Sequence, residues 1–184
     1  MKYLVDANVL SEPTKRTPDP RVVAWLRAHE RDIAVDPVIL GELRFGILIL
    51  PKGRKRTALE RWFDEGVGRL QCLPWDADTG LKWAELLARL RTTGKAMPIK
   101  DSLIAATAVV HGLAVATRNR ADFLNAGVHI VDPFIGLRSR ACPDEEHADS
   151  TPVSPYFPHI ILPHFLRPSD DSNMKTKYLS AWPG

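Results

Sequence analysis

Cysteine is scarce in this chain of 184 residues, with Cys72 and Cys142 its two examples. Two thiols cannot build a disulfide framework or a four-thiolate zinc site, and a reducing, cytoplasmic setting is the default expectation. Long apolar runs are missing as well. The stretches Ile47 to Leu50 and Leu103 to Val110 fall far short of the ~20 residues of a membrane helix, so no membrane association is expected. Asp6 interrupts the opening apolar run, which argues against a secretory signal there. There is no glycine-rich phosphate loop, no HExxH, no Ser/His/Asp set in a plausible context and no histidine spacing suited to a metal. A large excess of charge of one sign is missing too, with 25 basic residues against 22 acidic ones. The net +3 permits nucleic-acid binding without arguing for it. What is present is ordinary: 45% hydrophobic and 26% charged residues, which excludes a wholly disordered or fibrous chain.

Composition shifts near residue 136. Seven of the 15 prolines fall in residues 137–184, and from Pro152 to Pro168 they recur every three to five residues. That spacing forbids a helix or a central strand, so 137–184 is expected to be a poorly ordered tail behind a folded domain, 1–136. Six of the 22 acidic residues but only five of the 25 basic ones lie in the tail, so the basic excess belongs to the domain.

Within 1–136, short apolar runs alternate with helical patterns. Strands are expected at Tyr3–Val5, Ile33–Val35, Gln71–Leu73, Leu113–Ala116 and His129–Val131. Asp19-Pro20 and Asp36-Pro37 each read as a helix cap followed by proline at the first helical position. Leu59, Trp62, Phe63 and Leu70 share a helical face. Asp76 caps a further helix, and another runs from Asp101 to His111 and stops at Gly112. Strands alternating with helices predict a three-layer α/β/α domain with a mostly parallel sheet.

In such a sheet, ligands bind beyond the carboxyl ends of the strands. Asp6 follows the first strand directly, with Asn8 two residues on. Thr117, Arg118 and Asn119 follow the Leu113–Ala116 strand, and Asp122 is three residues further. Glu42 lies one to two turns into the helix after Ile33–Val35, and Asp101 near the start of the helix before Leu113. Converging carboxylates repel unless protons or cations neutralise them, and hard oxygen donors suit Mg²⁺ or Mn²⁺. Such ions support phosphodiester hydrolysis by an activated water.

Each acid also has a plainer reading. Asp6, Asn8 and Asp101 suit helix caps, and Asp122 suits a turn. Glu42 resists one, because Val38, Ile39, Phe45 and Gly46 occupy the helical neighbour positions where a basic partner would stand. An acid so placed needs a metal or a distant cation. The run Lys52-Gly53-Arg54-Lys55-Arg56 reads either as a solvated loop and helix start or as a phosphate-tracking patch. A phosphoaspartyl enzyme or receiver domain would need a second acid beside Asp6, and Asn8 stands there instead.

Four segments in order resemble one family: Val5-Asp6-Ala7-Asn8-Val9-Leu10-Ser11-Glu12, Gly41-Glu42-Leu43-Arg44-Phe45-Gly46, Asp101-Ser102-Leu103-Ile104-Ala105-Ala106-Thr107-Ala108 and Thr117-Arg118-Asn119-Arg120-Ala121-Asp122-Phe123. They look like the PIN-domain ribonuclease toxins of VapBC-type toxin–antitoxin modules. Ser11-Glu12-Pro13 with Val22-Val23-Ala24-Trp25-Leu26 looks like the FitB-like branch. The resemblance spans residues 2–134 and implies a Mg²⁺-dependent endoribonuclease. The family's metal acids fall on Asp6, Glu42 and Asp101. The family's fourth acid is replaced by Asn119, with Asp122 available to complete the cluster. That departure leaves room for a degenerate module that binds nucleic acid or protein without cutting. The resemblance further implies a homodimer silenced by a small VapB-like antitoxin, with DNA bound only through that partner. Phe45, Ile47, Ile49 and Trp62 are candidates for the shared surface, and the Thr117 hydroxyl is a candidate phosphate contact.

Overall fold

The computed structural model describes residues 1–135. The expected tail, 137–184, lies outside the described residues. Four parallel strands, β1 (Tyr3–Val5), β2 (Ile33–Ala34), β3 (Ala114–Ala116) and β4 (Ile130–Val131), form a sheet in the order β2-β1-β3-β4. Among the described residues, seven α-helices surround it: α1 (Ala7–Leu10), α2 (Pro20–Ala28), α3 (Pro37–Leu48), α4 (Arg54–Glu65), α5 (Ala77–Thr92), α6 (Ile99–Val110) and α7 (Arg120–Phe123). Leu4 and Val5 point to opposite faces of β1 and both are fully buried, as are Val115 and Ala116 on β3. Both faces are therefore covered, as the near-continuous apolar strands require. Each such leucine or valine side chain taken out of water contributes about 2 kcal/mol before entropy is charged against it.

The helix starts follow the capping chemistry. Asp19 accepts from the Arg21 amide, Asp36 from Ile39 and Asp76 from Thr79, while Pro20 and Pro37 open α2 and α3. Gly112, at φ 62°, terminates α6 in the left-handed region that disfavours a side chain.

Three expectations need correction. The strand at Gln71–Leu73 shrinks to a single parallel bridge, Val35 to Cys72, with Val35 N–H donating to the Gln71 carbonyl and Leu73 N–H to the Val35 carbonyl. Pro74 follows and has no N–H to extend the ladder. Leu70 lies beyond α4, which ends at Gly66 and is followed by a 3₁₀ turn, Val67–Arg69. Helix α6 begins at Ile99 and not at Asp101. On α6, Ala105 and Ala106 are fully buried as their small size suggests, whereas Val109 is exposed.

The topology fixes where a site can form. β1 is central, with β2 on one side and β3 on the other, so the strand order reverses across its carboxyl end. Asp6 stands at that point.

Candidate active site

Asp6 is buried at 5% exposure and held by three donors. Oδ1 accepts from the Ala7 amide at 2.7 Å, which caps α1. Oδ2 accepts from Asn8 Nδ2 at 2.7 Å and from Thr117 Oγ1 at 2.7 Å. The capping reading of Asp6 is thus correct and incomplete, because its second oxygen reaches across to the end of β3. The backbone makes the same link, with Asp6 N–H donating to the Ala116 carbonyl at 3.0 Å. Burial raises the Asp6 carboxyl above its ordinary value. The Thr117 hydrogen bond works against that rise, and the Glu42 charge adds to it.

Thr117 is fully buried and its hydroxyl proton is committed to Asp6. The same oxygen accepts from Asn8 Nδ2 and from the Asn119 amide. The expectation of a direct phosphate contact from Thr117 is therefore set aside. This residue orients Asp6 and the turn into α7. Asn8 completes the weld by accepting from the Arg118 amide through Oδ1 at 3.1 Å.

Asp101 lies in the first turn of α6, whose N-cap is Pro98 with no side-chain capping bond. The capping reading of Asp101 therefore falls away. Its half-buried carboxyl is pushed up to about 6, first by burial, then by the charges of Asp6 and Asp122, with Glu42 adding to them and Lys100 opposing. Asp101 is thus within electrostatic reach of all three other acids. Asp122 sits in the first turn of α7, and Asn119 occupies that helix's N-cap without a side-chain capping bond. Glu42, on α3, is paired after all: its Oε1 lies 2.6 Å from Lys100 Nζ, 58 residues away in sequence. Lys100 was not legible as a site residue, although its place next to Asp101 was a usable signal.

Asp36 is a further buried acid, read from sequence only as a cap. Its Oδ1 caps α3 through the Ile39 amide and its Oδ2 accepts from Thr107 Oγ1 on α6 at 2.9 Å. It joins the Glu42 helix to the Asp101 helix and takes no part in the acidic cluster. The basic run is mixed in role. Arg56 pairs with Glu60 and donates to the carbonyls of Leu48, the last residue of α3, and of Leu50 just beyond it, while Lys52, Arg54 and Lys55 are exposed.

The donor chemistry of the cluster fits a hard divalent cation. Its side chains offer oxygens alone, and burial together with mutual repulsion has already raised Asp101. Among the described residues, no three His, Cys, Asp or Glu side chains are gathered closely enough to chelate an ion as they stand. No described helix is long and apolar enough to cross a membrane.

Residues 3–128 match the PIN domain family. A VapC ribonuclease of Sinorhizobium fredii is 38% identical over 137 residues, covering 71% of this chain and 96% of its own length. The toxin FitB of Neisseria gonorrhoeae is 35% identical over 137 residues, covering 71% of this chain and 97% of its own. The crystal structure of FitAcB from Neisseria gonorrhoeae superimposes with a TM-score of 0.66 at 34% identity, over 72% of this chain and 99% of that one. The matched stretch holds every member of the acidic cluster, and with it the chain belongs to the PIN-domain family, among the VapC- and FitB-type toxins.

Proposed function

We propose that this chain is the toxin of a type II toxin–antitoxin pair and acts as a Mg²⁺-dependent endoribonuclease. The observation that carries the reading is the convergence of Asp6, Glu42, Asp101 and Asp122 from four separate segments at the strand-order reversal, close enough that Asp6, Asp122 and Glu42 all raise the Asp101 carboxyl. A carboxyl raised by burial and by several like charges at a strand end marks a candidate functional site. Asp6 and Asp101 would hold the principal cation, with Glu42 beside them. When bound, Mg²⁺ or Mn²⁺ would supply Lewis acidity, offsetting charge on the phosphate and lowering the pKa of water. The chain's own residues do the rest. Thr117, Asn8 and the Ala7 amide fix Asp6 in one rotamer, so no ordering is needed when substrate arrives. Glu42 orients the attacking water, and Asn119 and Asp122 position the scissile phosphate or recruit a second ion.

The relatives' names support RNA as substrate and a small antitoxin as partner. Residues 1–136 are the catalytic domain in this reading, with 137–184 an appendage. A homodimer and operator DNA bound through the antitoxin complete it. The test is cleavage of defined RNA and DNA by the purified chain with Mg²⁺ and with EDTA. RNA is expected to be cut only with Mg²⁺, and Asp101→Asn to abolish cutting with the fold retained. Full activity of Asp101→Asn, or in excess chelator, would overturn the mechanism. Asn119 in place of an acid favours a second reading, a non-cleaving binding module. RNA binding without cleavage at saturating Mg²⁺ would establish that instead.

A further inference from the structure

Lys100 stands inside the acidic cluster, yet the hydrolytic reading gives it no part. It is the second residue of α6, next to Asp101. Its side chain is 56% exposed, so charge and not packing holds it in place, and its Nζ lies 2.6 Å from Glu42 Oε1. Among the described residues, Lys100 is the one hydrogen-bonding and ion-pairing partner of Glu42. Its field also reaches Asp6 and Asp101, where it opposes the effect of their crowding. The ammonium therefore does, without any metal, what a divalent cation would do: it compensates a site built from like charges.

We infer that Lys100 is an internal counter-ion that competes with the divalent cation for Glu42, so that loading the site requires its displacement. The inference rests on the reading of Asp6, Glu42 and Asp101 as the cation's holders. The exchange suits the residue. A four-carbon stem with an exposed head can swing into water at small cost, and two positive charges outcompete one for a cluster of carboxylates. Lys100 would thus raise the cation concentration at which the site fills and keep the empty site from opening under its own repulsion.

The experiment is calorimetric titration of the metal-stripped full chain with MnCl₂, read as binding and independent of cleavage. Wild type is compared with Lys100→Met, Lys100→Arg, Glu42→Gln and the Lys100→Met/Glu42→Gln pair. Lys100→Met is expected to tighten Mn²⁺ binding about threefold to tenfold, with Lys100→Arg near wild type. In the Glu42→Gln background, the gain from Lys100→Met should largely disappear, because the contested seat is gone. Wild-type or weaker binding by Lys100→Met overturns the inference while leaving the metal reading intact. An equal gain in both backgrounds also overturns it, since that marks a diffuse charge effect. Failure of every form to bind Mn²⁺ overturns the metal reading, and this inference with it. Lys100→Gln is the second variant if Lys100→Met does not fold by circular dichroism.

Discussion

Thr107 on α6 donates its hydroxyl to Asp36 at the head of α3, at 2.9 Å and with both residues fully buried. The bond sets the relative placement of the two helices that carry Asp101 and Glu42. Asp36→Ala removes the α3 cap and leaves the Thr107 hydroxyl only the Leu103 carbonyl at 3.3 Å, and is expected to cost about 2 kcal/mol of stability. Thr107→Val should cost somewhat less, since Asp36 keeps its bond to Ile39. Urea denaturation of the two variants and their double mutant checks this. Strictly additive losses would show that the pair is not coupled.

Thr117→Val removes the hydroxyl that binds Asp6 and accepts from Asn8 and the Asn119 amide. Loss of such support behind a carboxylate proposed to hold the cation is expected to lower Mn²⁺ affinity and RNA cleavage by roughly tenfold or more. Thr117→Ser should restore both, because it returns the hydroxyl without the methyl. Titration and cleavage assays on the two variants give the answer, and equal behaviour of Val and Ser would assign Thr117 to packing alone.

Asp101 predicts a pH dependence of defined sign. Its carboxyl is raised from 3.8 to about 6 in the folded chain, so the native state holds a proton that the unfolded state has lost. In chelator, the contribution of Asp101 to stability is therefore full below about pH 4 and is lost as pH rises through about 6. Asp101→Asn, which cannot ionise, should gain in melting temperature relative to wild type across that window. Thermal melts in EDTA from pH 4 to pH 8 measure the difference. A constant offset would mean that Asp101 is not under the repulsion described. Cation binding requires the ionised acid, so Mn²⁺ affinity of the wild type should fall as pH drops below about 6.

Phe45, Leu48 and Ile49 are exposed near the end of α3, at 64%, 47% and 55%. Such a cluster on a toxin-family domain is a candidate seat for the antitoxin or a second copy. Phe45→Ser with Ile49→Ser is expected to weaken one of these associations at least tenfold while RNA cleavage by the free chain persists. Sedimentation and co-purification with the cognate partner decide it. Unchanged dimerisation together with unchanged antitoxin binding would remove this face from consideration.

Much of the architecture was legible because local signals agreed. Asp-Pro caps, apolar runs and Gly112 mark elements without long-range help. The strand ends carried the site for the same reason: Asp6 and Thr117 abut β1 and β3 in the sequence itself. What escaped the sequence was set by tertiary partners. Trp62 and Ile47 were candidates for a shared surface, yet they are buried at 3% and 4% exposure, while Phe45 and Ile49 on the same stretch face outward. Helical periodicity alone does not say which apolar face the neighbours claim. Glu42 was recognisable as an acid in need of a cation, but no local spacing could name Lys100. Asp36 looked like an ordinary cap because Thr107, its second partner, lies 71 residues away.

The bond between Asp6 and Thr117 spans 111 residues of chain. During synthesis the acid emerges 111 residues ahead of the hydroxyl that aims it, and ahead of β3, the strand that walls it in. A nascent chain therefore carries the buried Asp6 through the synthesis of those residues without a finished site around it. Products of translation that stop short of β3 lack one of the two neighbours of β1. The acidic cluster of this fold is therefore assembled late, only once β3 has been made.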